Sequence, residues 1–243
     1  MRADAFLLAA EALPFGDLQD LAVGRGLVIV APHPDDESLG CGGLIARACE
    51  EGLPVHLVVV SDGVGSHPNS PSYPPERLRA LREKETLAAA ELLGLAAKYV
   101  HFLRLPDRHV PSAGPEAEGA ALAIAGAVRT CGAGNLIVTW PHDPHCDHQA
   151  SAELARLACS KLADVRLLAY PVWGWTLPAD TDVGPPPRGL RLDISGQLVA
   201  KNMAVAAHRS QTTDLINDDP KGFRLEAAML AHFTRPFEIF LEI

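Results

Sequence analysis

Four ionisable residues fall within five consecutive positions near the start of the chain: His33, Asp35, Asp36 and Glu37. Neutral imidazole and a carboxylate three residues later form a suitable pair of ligands for a divalent metal ion. Helix capping offers a simpler interpretation, because Asp and Ser cap helices and acids favour the first helical turn. A cap would account for Ser38 or for one Asp, but it would not account for His33 together with three acids.

A second group of similar residues lies more than a hundred positions later, in residues 140–148. Each group follows a short apolar run, which predicts that each lies at the end of a buried strand. Ligands bind at the carboxyl ends of strands in open α/β sheets, so two neighbouring strands would bring the two groups together. His33, Asp36 and His148 would then form a mixed site with an open position, as a catalytic metal requires.

Both groups resemble the motifs of the PIG-L/LmbE-like deacetylases, which are zinc hydrolases that remove acetyl groups from N-acetylated sugars. The family motif Ala-His-Pro-Asp-Asp-Glu is similar to residues 32–37, which are Pro-His-Pro-Asp-Asp-Glu. The family motif His-Pro-Asp-His is similar to residues 145–148, where Cys146 replaces the proline. That position is not a ligand in the family, so we expect the change to be tolerated. The resemblance implies a deacetylase that acts on an N-acetylated sugar or glycoconjugate.

The neighbouring carboxylates Asp35 and Asp36 receive different predicted roles. Because Pro34 and the start of a helix turn the chain, His33 and Asp36 can close around one ion. Asp35 then faces the water and the substrate amide, where it would serve as general base. A bound Zn²⁺ lowers the pKa of water to about 7, and a His/His/carboxylate site also accepts Fe²⁺.

His145 and Asp147 offer the remaining groups for amide hydrolysis. His145, as an imidazolium, could stabilise the tetrahedral oxyanion or protonate the leaving amine. Asp147 would orient either His145 or a histidine ligand of the metal. The family resemblance implies the same roles for these positions. Some family members carry a Tyr just before the second motif, and Asp143 stands near that place in this chain.

Further segments resemble the family and carry the predicted substrate contacts. Arg82 matches a family helix whose Arg contacts substrate in several members, and we expect Glu85 to fix Arg82 toward the pocket. A solvated ion pair at the edge of that helix is the alternative. Asp107 lies in a segment similar to the family's Pro-Asp turn, although Pro-Asp is common in ordinary turns. Glu37 is the third predicted contact, and residues 208–211 resemble a late family signature.

The elements that must position these residues alternate between strand and helix patterns. The alternation predicts an α/β fold, namely a three-layer α/β/α, Rossmann-like and mostly parallel sheet with C-terminal strands added. The predicted strands cover residues 27–31, 55–60, 99–103, 136–138, 165–170, 190–194 and 237–243. The predicted helices cover residues 38–51, 76–93, 116–130, 147–162, 195–208 and 221–232. We expect one domain over residues 1–243, with a leader of mixed character at 1–26.

Two loops, residues 64–75 and 176–189, are the predicted determinants of substrate choice. The first follows a strand end and lacks the pattern of regular structure, so it either covers the site or only connects two elements. Trp173 and Trp175 precede the second loop. They could stack on a sugar, although positions in the core or at its rim are the usual role of tryptophan.

Composition argues against several classes of partner and location. The net charge is −9 and no run of Lys or Arg occurs, so nucleic acid and anionic membranes are poor partners. No apolar run approaches the length of a membrane span. The start of the chain lacks the layout of a signal peptide, and five widely spaced cysteines suit a reducing cytosol. We therefore expect a cytoplasmic protein, and the sequence leaves an oligomer open.

Two other functions compete with the hydrolase interpretation. Residues 39–42, Leu-Gly-Cys-Gly, and the later Asp62 are similar to the glycine loop and ribose-binding acid of an S-adenosylmethionine- or nucleotide-binding transferase. Such a loop directly follows a strand, whereas these glycines fall inside the first predicted helix. A non-catalytic sugar-binding protein of the same fold is the second alternative. Loss of Asp35 or of a metal ligand would favour it, and none is lost.

Overall fold

An eight-stranded sheet forms the centre of the fold in the computed structural model, which describes residues 1–23 and 25–243. Its strands are β1 (Phe15–Gly16), β2 (Gly26–Ala31), β3 (Val55–Ser61), β4 (Val100–Leu105), β5 (Ala133–Thr139), β6 (Arg166–Tyr170), β7 (Gly189–Asp193) and β8 (Phe237–Glu242). The helices are α1 (Ala3–Glu11), α2 (Leu18–Ala22), α3 (Asp36–Glu50), α4 (Pro75–Leu92), α5 (Gly114–Cys131), α6 (Cys146–Cys159), α7 (Leu198–Ala207), α8 (Arg209–Thr212) and α9 (Ala227–Leu230). Across the described residues, none of these helices is long and apolar enough to cross a membrane.

The strand order is β1-β7-β8-β6-β5-β2-β3-β4, and the five strands from β6 to β4 are parallel. β8 pairs antiparallel with β6 and β7, and β1, from the predicted leader, adds a parallel edge strand beside β7. Because β2 lies between β3 and β5, the loops that follow β2 and β5 flank the point where the strand order reverses. Ligands bind at this switch point in doubly wound sheets. The predicted mostly parallel α/β fold is confirmed.

The central strands are buried on both faces, which explains their nearly continuous apolar sequences. In β2, Leu27 and Ile29 belong to the core cluster that contains residues of α3, whereas Val28 and Val30 belong to the cluster that contains residues of α5 and α6. This alternation follows from the two-residue period of a strand. The end of β2, from which the first candidate site residues extend, is therefore held between two helical layers.

The predicted helix at residues 221–232 is much shorter in the structure, where it is reduced to α9 and a following turn of 3₁₀ helix. Tertiary hydrogen bonds replace helical ones in the first half of this segment. Phe223 donates its backbone N–H to the carbonyl oxygen of Ser66 at 2.7 Å, and Leu225 donates to that of Gln211 at 2.8 Å. The segment is therefore extended, and it borders the candidate site.

A buried ion pair connects β8 to α7, and its carboxylate also binds α3, the helix that begins at the candidate site. Nζ of Lys201 lies 2.7 Å from Oε1 of Glu238, and both side chains are 2 % exposed. The same carboxylate accepts backbone N–H bonds from Gly43 at 2.7 Å and Leu44 at 2.8 Å, both in α3. A buried charge is tolerated when it is paired and hydrogen-bonded in this way. The pair therefore fixes α3 against the C-terminal part of the sheet.

Replacement of Glu238 by Gln should destabilise the fold strongly, because the ammonium of Lys201 would remain buried without its counter-charge. We expect the free energy of unfolding to fall by about 3–5 kcal/mol, measured by urea denaturation. Glu242→Gln on the same strand is the matched control, since its partner Arg188 is exposed, and its effect should stay below about 1 kcal/mol. Equal effects of the two substitutions would contradict the role of the buried pair.

Candidate metal centre and active site

The loops that follow β2 and β5 bring two imidazoles to one carboxylate oxygen. Nδ1 of His33 lies 3.3 Å from Oδ2 of Asp36, and Nε2 of His148 lies 3.2 Å from the same oxygen. Ligand atoms about 2.1 Å from a tetrahedral ion are separated by roughly 3.4 Å. Each imidazole nitrogen is therefore about as far from the oxygen of Asp36 as two ligands of one metal ion are from each other.

The hydrogen bonding of His148 supports this interpretation. Its ring is fully buried, and Nδ1 lies 2.9 Å from Oδ2 of Asp143. Nε2 is buried but has no hydrogen-bond partner among the described residues, although it contacts Asp36. Because Asp143 holds the proton on Nδ1, the lone pair of Nε2 is left for a metal ion. A buried nitrogen without a partner is costly, so the donor set fits a bound cation.

Asp143 also anchors the loop that follows β6. Its carboxylate accepts backbone N–H bonds from Val172 and Trp173, both at 3.0 Å, and from Gly174 at 2.7 Å. In the sequence, Asp143 stands out only as the residue near the place of a family Tyr. Its bonds to this loop were missed because the partners lie about thirty residues away, and its contact with His148, five residues later, was not recognised.

His33 has a similar supporting carboxylate on its other ring nitrogen. Nε2 lies 3.1 Å from Oδ2 of Asp147 and 3.4 Å from Oδ1 of Asp107. The carboxylate of Asp147 also accepts backbone N–H bonds from Arg108 at 2.6 Å and Val110 at 3.1 Å. The sequence left open whether Asp147 orients His145 or a histidine ligand of the metal. In the structure, the carboxylate of Asp147 contacts His33 of the proposed metal site.

Two sets of potential metal ligands have donor atoms that all lie within 4.8 Å of one another: His33 with His145 and His148, and His33 with Asp107, His145 and Asp147. Neither set contains Asp36. We favour the set with Asp36, because its Oδ2 contacts imidazole nitrogens from both loops, whereas Asp107 and Asp147 contact only Nε2 of His33. The same oxygen of Asp36 accepts the backbone N–H of His33 at 2.9 Å, which helps to hold it between the two rings.

His145 lies beside the proposed metal site, with its ring centroid 4.5 Å from that of His33. Its Nδ1 accepts the backbone N–H of Asp147 at 3.2 Å and thereby caps α6. The neutral ring must therefore carry its proton on Nε2. Burial and the neighbouring imidazoles of His33 and His148 lower the pKa of His145 to about 4. The structure thus corrects the expected imidazolium to a neutral ring with an N–H donor.

Asp35 has a strained backbone and a carboxyl group with a raised pKa. Its φ of 140° lies in a region that residues other than glycine rarely adopt, and such backbone strain is often found at functional sites. Nη2 of Arg82 lies 3.2 Å from Oδ2 of Asp35. Burial raises the pKa of Asp35 to about 6, although the positive charge of Arg82 acts in the opposite direction. The carboxyl is therefore largely ionised at neutral pH and still basic enough to accept a proton.

The predicted support of Arg82 by Glu85 is wrong. Besides Asp35, Arg82 donates to the carbonyl oxygens of Pro34 at 2.6 Å and Gly63 at 2.8 Å. The carboxylate of Glu85 instead accepts the backbone N–H of Ser210 at 2.8 Å and its hydroxyl at 2.6 Å. Neighbouring positions on a helix allow contact but do not require it, and here each side chain binds a different loop.

The predicted contact between Glu37 and substrate is also not supported. Glu37 is 1 % exposed, and its Oε1 lies 3.0 Å from Nε2 of His208 and accepts the hydroxyl of Ser38 at 2.8 Å. Its Oε2 accepts the backbone N–H of Asp35 at 3.1 Å. Glu37 therefore lies behind the site, where it helps to hold the strained backbone of Asp35. The late family signature contributes His208 to this support.

A cavity of about 320 Å³ opens beside His33 and Asp36 of the proposed metal site. Gly65 and Ser66 of the first predicted loop line it, so this loop does border the site. Residues 176–189 do not line the cavity; this loop packs on α1 through bonds such as the Ala3 N–H to the carbonyl oxygen of Thr181, at 2.8 Å. The extended segment before α9 lines the cavity in place of residues 176–189, through Phe223 and Leu225. The lining includes Asp35, Arg82, Asp107, His145, Trp173, Gln211, Phe223 and Leu225.

The glycines in α3 serve packing and do not form a nucleotide-binding loop. A Cβ at Gly40 would lie 2.1 Å from the ring of Tyr170, and one at Gly43 would lie 2.5 Å from Ile194. These glycines lie within the helix, away from its N-terminus. The structure therefore gives no support to the transferase alternative. Trp175 is likewise used in packing, stacked on the ring of His232 at 5.2 Å.

Comparison with known proteins identifies similar sequences and folds. The family model described as PIG-L, GlcNAc-PI de-N-acetylase, matches residues 28–159, which include both loops of the proposed metal site. A probable N-acetyl-alpha-D-glucosaminyl L-malate deacetylase 2 from Bacillus cereus is 26 % identical, over 80 % of this chain and 87 % of the relative. The solved N,N′-diacetylchitobiose deacetylase from Pyrococcus horikoshii superposes with a TM-score of 0.66 at 21 % identity, over 89 % of this chain and 82 % of the other. A conserved protein from Thermus thermophilus has a TM-score of 0.58 at 29 % identity, over 77 % of this chain and 80 % of the other.

Substitution of Asp143 should weaken metal binding without removing a ligand atom. Asp143→Asn lowers the basicity of His148 and no longer fixes its proton on Nδ1, so we expect zinc affinity to fall by roughly 10–100-fold. Competition with a chromophoric chelator measures this affinity. Asp180→Asn, on an exposed residue, is the control and should bind zinc as the unmodified protein does. Unchanged affinity in Asp143→Asn, with the fold intact by circular dichroism, would refute the supporting role.

Proposed function

This chain belongs to the PIG-L family, and from that premise we propose that it is a zinc-dependent deacetylase that releases acetate from an N-acetylated sugar or glycoconjugate. The observation that carries the proposal is the convergence of His33, Asp36 and His148 beside a cavity with Asp35 on its wall. The names of the relatives support the substrate class, since they describe deacetylases of N-acetylglucosaminyl compounds and of diacetylchitobiose.

The metal would be held by His33, Asp36 and His148. A bound Zn²⁺ would polarise the amide carbonyl and lower the pKa of water at the site. The same mixture of nitrogen and oxygen ligands also suits Fe²⁺. Asp143 and Asp147 orient the two imidazoles by binding their other ring nitrogens.

Asp35 and His145 would carry the proton transfers and charge stabilisation of amide hydrolysis. Asp35 accepts a proton from the attacking water and returns it to the amine as the C–N bond breaks and acetate leaves. His145 directs a neutral Nε2–H donor toward the oxygen that becomes negatively charged. Arg82 keeps Asp35 in position through their 3.2 Å contact, and Asp107 offers a carboxylate for a sugar hydroxyl on the cavity wall.

Acetate release from a panel of N-acetylated sugars tests the proposed function directly. We expect the chelator-treated protein to be inactive and added zinc to restore release from at least one member of the panel. His148→Ala should neither bind stoichiometric metal nor release acetate. Metal binding without acetate release from any substrate would favour a sugar-binding protein, and full metal retention in His148→Ala would remove that ligand from the site.

The adjacent residues Asp35 and Asp36 should give opposite results when each is changed to Asn. Asp35→Asn preserves shape but removes the base, so we expect it to retain metal and lose activity by about 10²-fold or more. Asp36→Asn removes a ligand, so we expect weaker metal binding and partial recovery in excess zinc. Elemental analysis and acetate release measure the two effects. If Asp35→Asn emptied the site and Asp36→Asn kept its metal, the two roles would have to be exchanged.

A further inference from the structure

A second cavity, of about 610 Å³, adjoins the cavity beside the proposed metal site. Four residues line both of them: Arg108, Trp173, Phe223 and Leu225. Because they share these lining residues, the two cavities lie side by side, within reach of a substrate longer than one sugar. The second cavity is therefore placed to receive the part of a glycoconjugate that lies beyond the N-acetylated sugar.

Two unpaired cations lie on this second cavity. The side chains of Arg108 and Lys221 have no hydrogen-bond or ion-pair partner in residues 1–23 and 25–243, and both residues are exposed. Arg224 also lines the cavity, but its guanidinium is paired with Asp214. One carboxylate, that of Glu226, faces the two free cations. The cavity is therefore locally positive in a chain whose net charge is −9, which favours an anionic ligand.

The backbone of Arg108 shows why this cation lies at the junction of the two cavities. Its φ is 66°, a left-handed conformation that is uncommon for residues other than glycine. Asp147 holds the loop in this form by accepting the backbone N–H groups of Arg108 and Val110, while its carboxylate also supports His33. The residue that orients a proposed metal ligand therefore also fixes the position of Arg108.

We propose that Arg108, assisted by Lys221, binds an anionic group, a carboxylate or a phosphate, on the aglycone of the substrate. The inference rests on the proposed function and adds the charge of the substrate to it. A guanidinium can bind either oxyanion through two parallel hydrogen bonds, which a lysine cannot do. The aromatic residues Trp173 and Phe223 line both cavities together with Arg108.

Two substrates that differ only in charge test the proposal: carboxymethyl N-acetyl-α-D-glucosaminide and its carboxamide. Acetate release by the zinc-loaded protein gives kcat/KM for each, and N-acetylglucosamine 1-phosphate provides the phosphate arm. We expect the carboxylate or the phosphate to exceed the amide by about tenfold or more, mainly through KM. Arg108→Gln should bring this ratio close to one, and Lys221→Gln should lower it partially.

Arg104→Gln is the matched control, because Arg104 also has a left-handed backbone but pairs with Glu83 outside both cavities. It should keep the full preference for the anion. A ratio of one in the unmodified protein, or an unchanged ratio in Arg108→Gln, would overturn the proposal. Release of acetate with no preference for charge would leave the proposed deacetylase function standing. If no compound releases acetate, calorimetry measures the affinities of the protein for the same carboxylate and amide. Equal affinities overturn the anion site, and a preference for the carboxylate that Arg108→Gln abolishes supports it.

Discussion

The carboxylate of Asp36, held between the imidazoles of His33 and His148, is the interaction on which the site depends. The three groups come from two loops separated by more than a hundred residues. They meet only because β2 and β5 are adjacent parallel strands whose carboxyl ends share one edge. The strand order of the sheet is therefore the physical cause of the site, and the apolar sequences of these strands explain their burial at its centre.

Hydrogen-bonded carboxylates surround this centre. Asp143 joins His148 to the backbone after β6, and Asp147 joins His33 to the backbone after β4. Glu37 and Arg82 together hold the strained backbone and the carboxylate of Asp35. Each supporting group binds main-chain atoms as well as a site residue. The positions of the reactive groups are therefore set by the fold and leave little freedom to their own side-chain torsions.

The sequence predicted the features that depend on local pattern. Apolar runs located the strands, and two short motifs located the groups that converge at the switch point. Features that depend on contacts distant in sequence were missed, namely the bonds of Asp143 to the backbone after β6, the Lys201–Glu238 pair and the cavity wall formed by Phe223. Glu85 shows the limit of local reasoning, because helical spacing allowed a bond to Arg82 while Ser210 offered two better donors.

The burial of several acids at the switch point requires a balance of charge, both at the proposed metal site and in the cavity beside it. Several acids lie at this edge of the sheet, and their mutual repulsion must be offset when they are buried. The carboxylate of Asp36 faces two imidazoles, and those of Asp107 and Asp147 accept backbone N–H bonds and approach His33. A divalent cation at the proposed site would supply positive charge where the orphaned nitrogen of His148 and the oxygen of Asp36 meet. In the adjoining cavity, the guanidinium of Arg108 has no ion-pair partner among the described residues, as the proposed anion site requires.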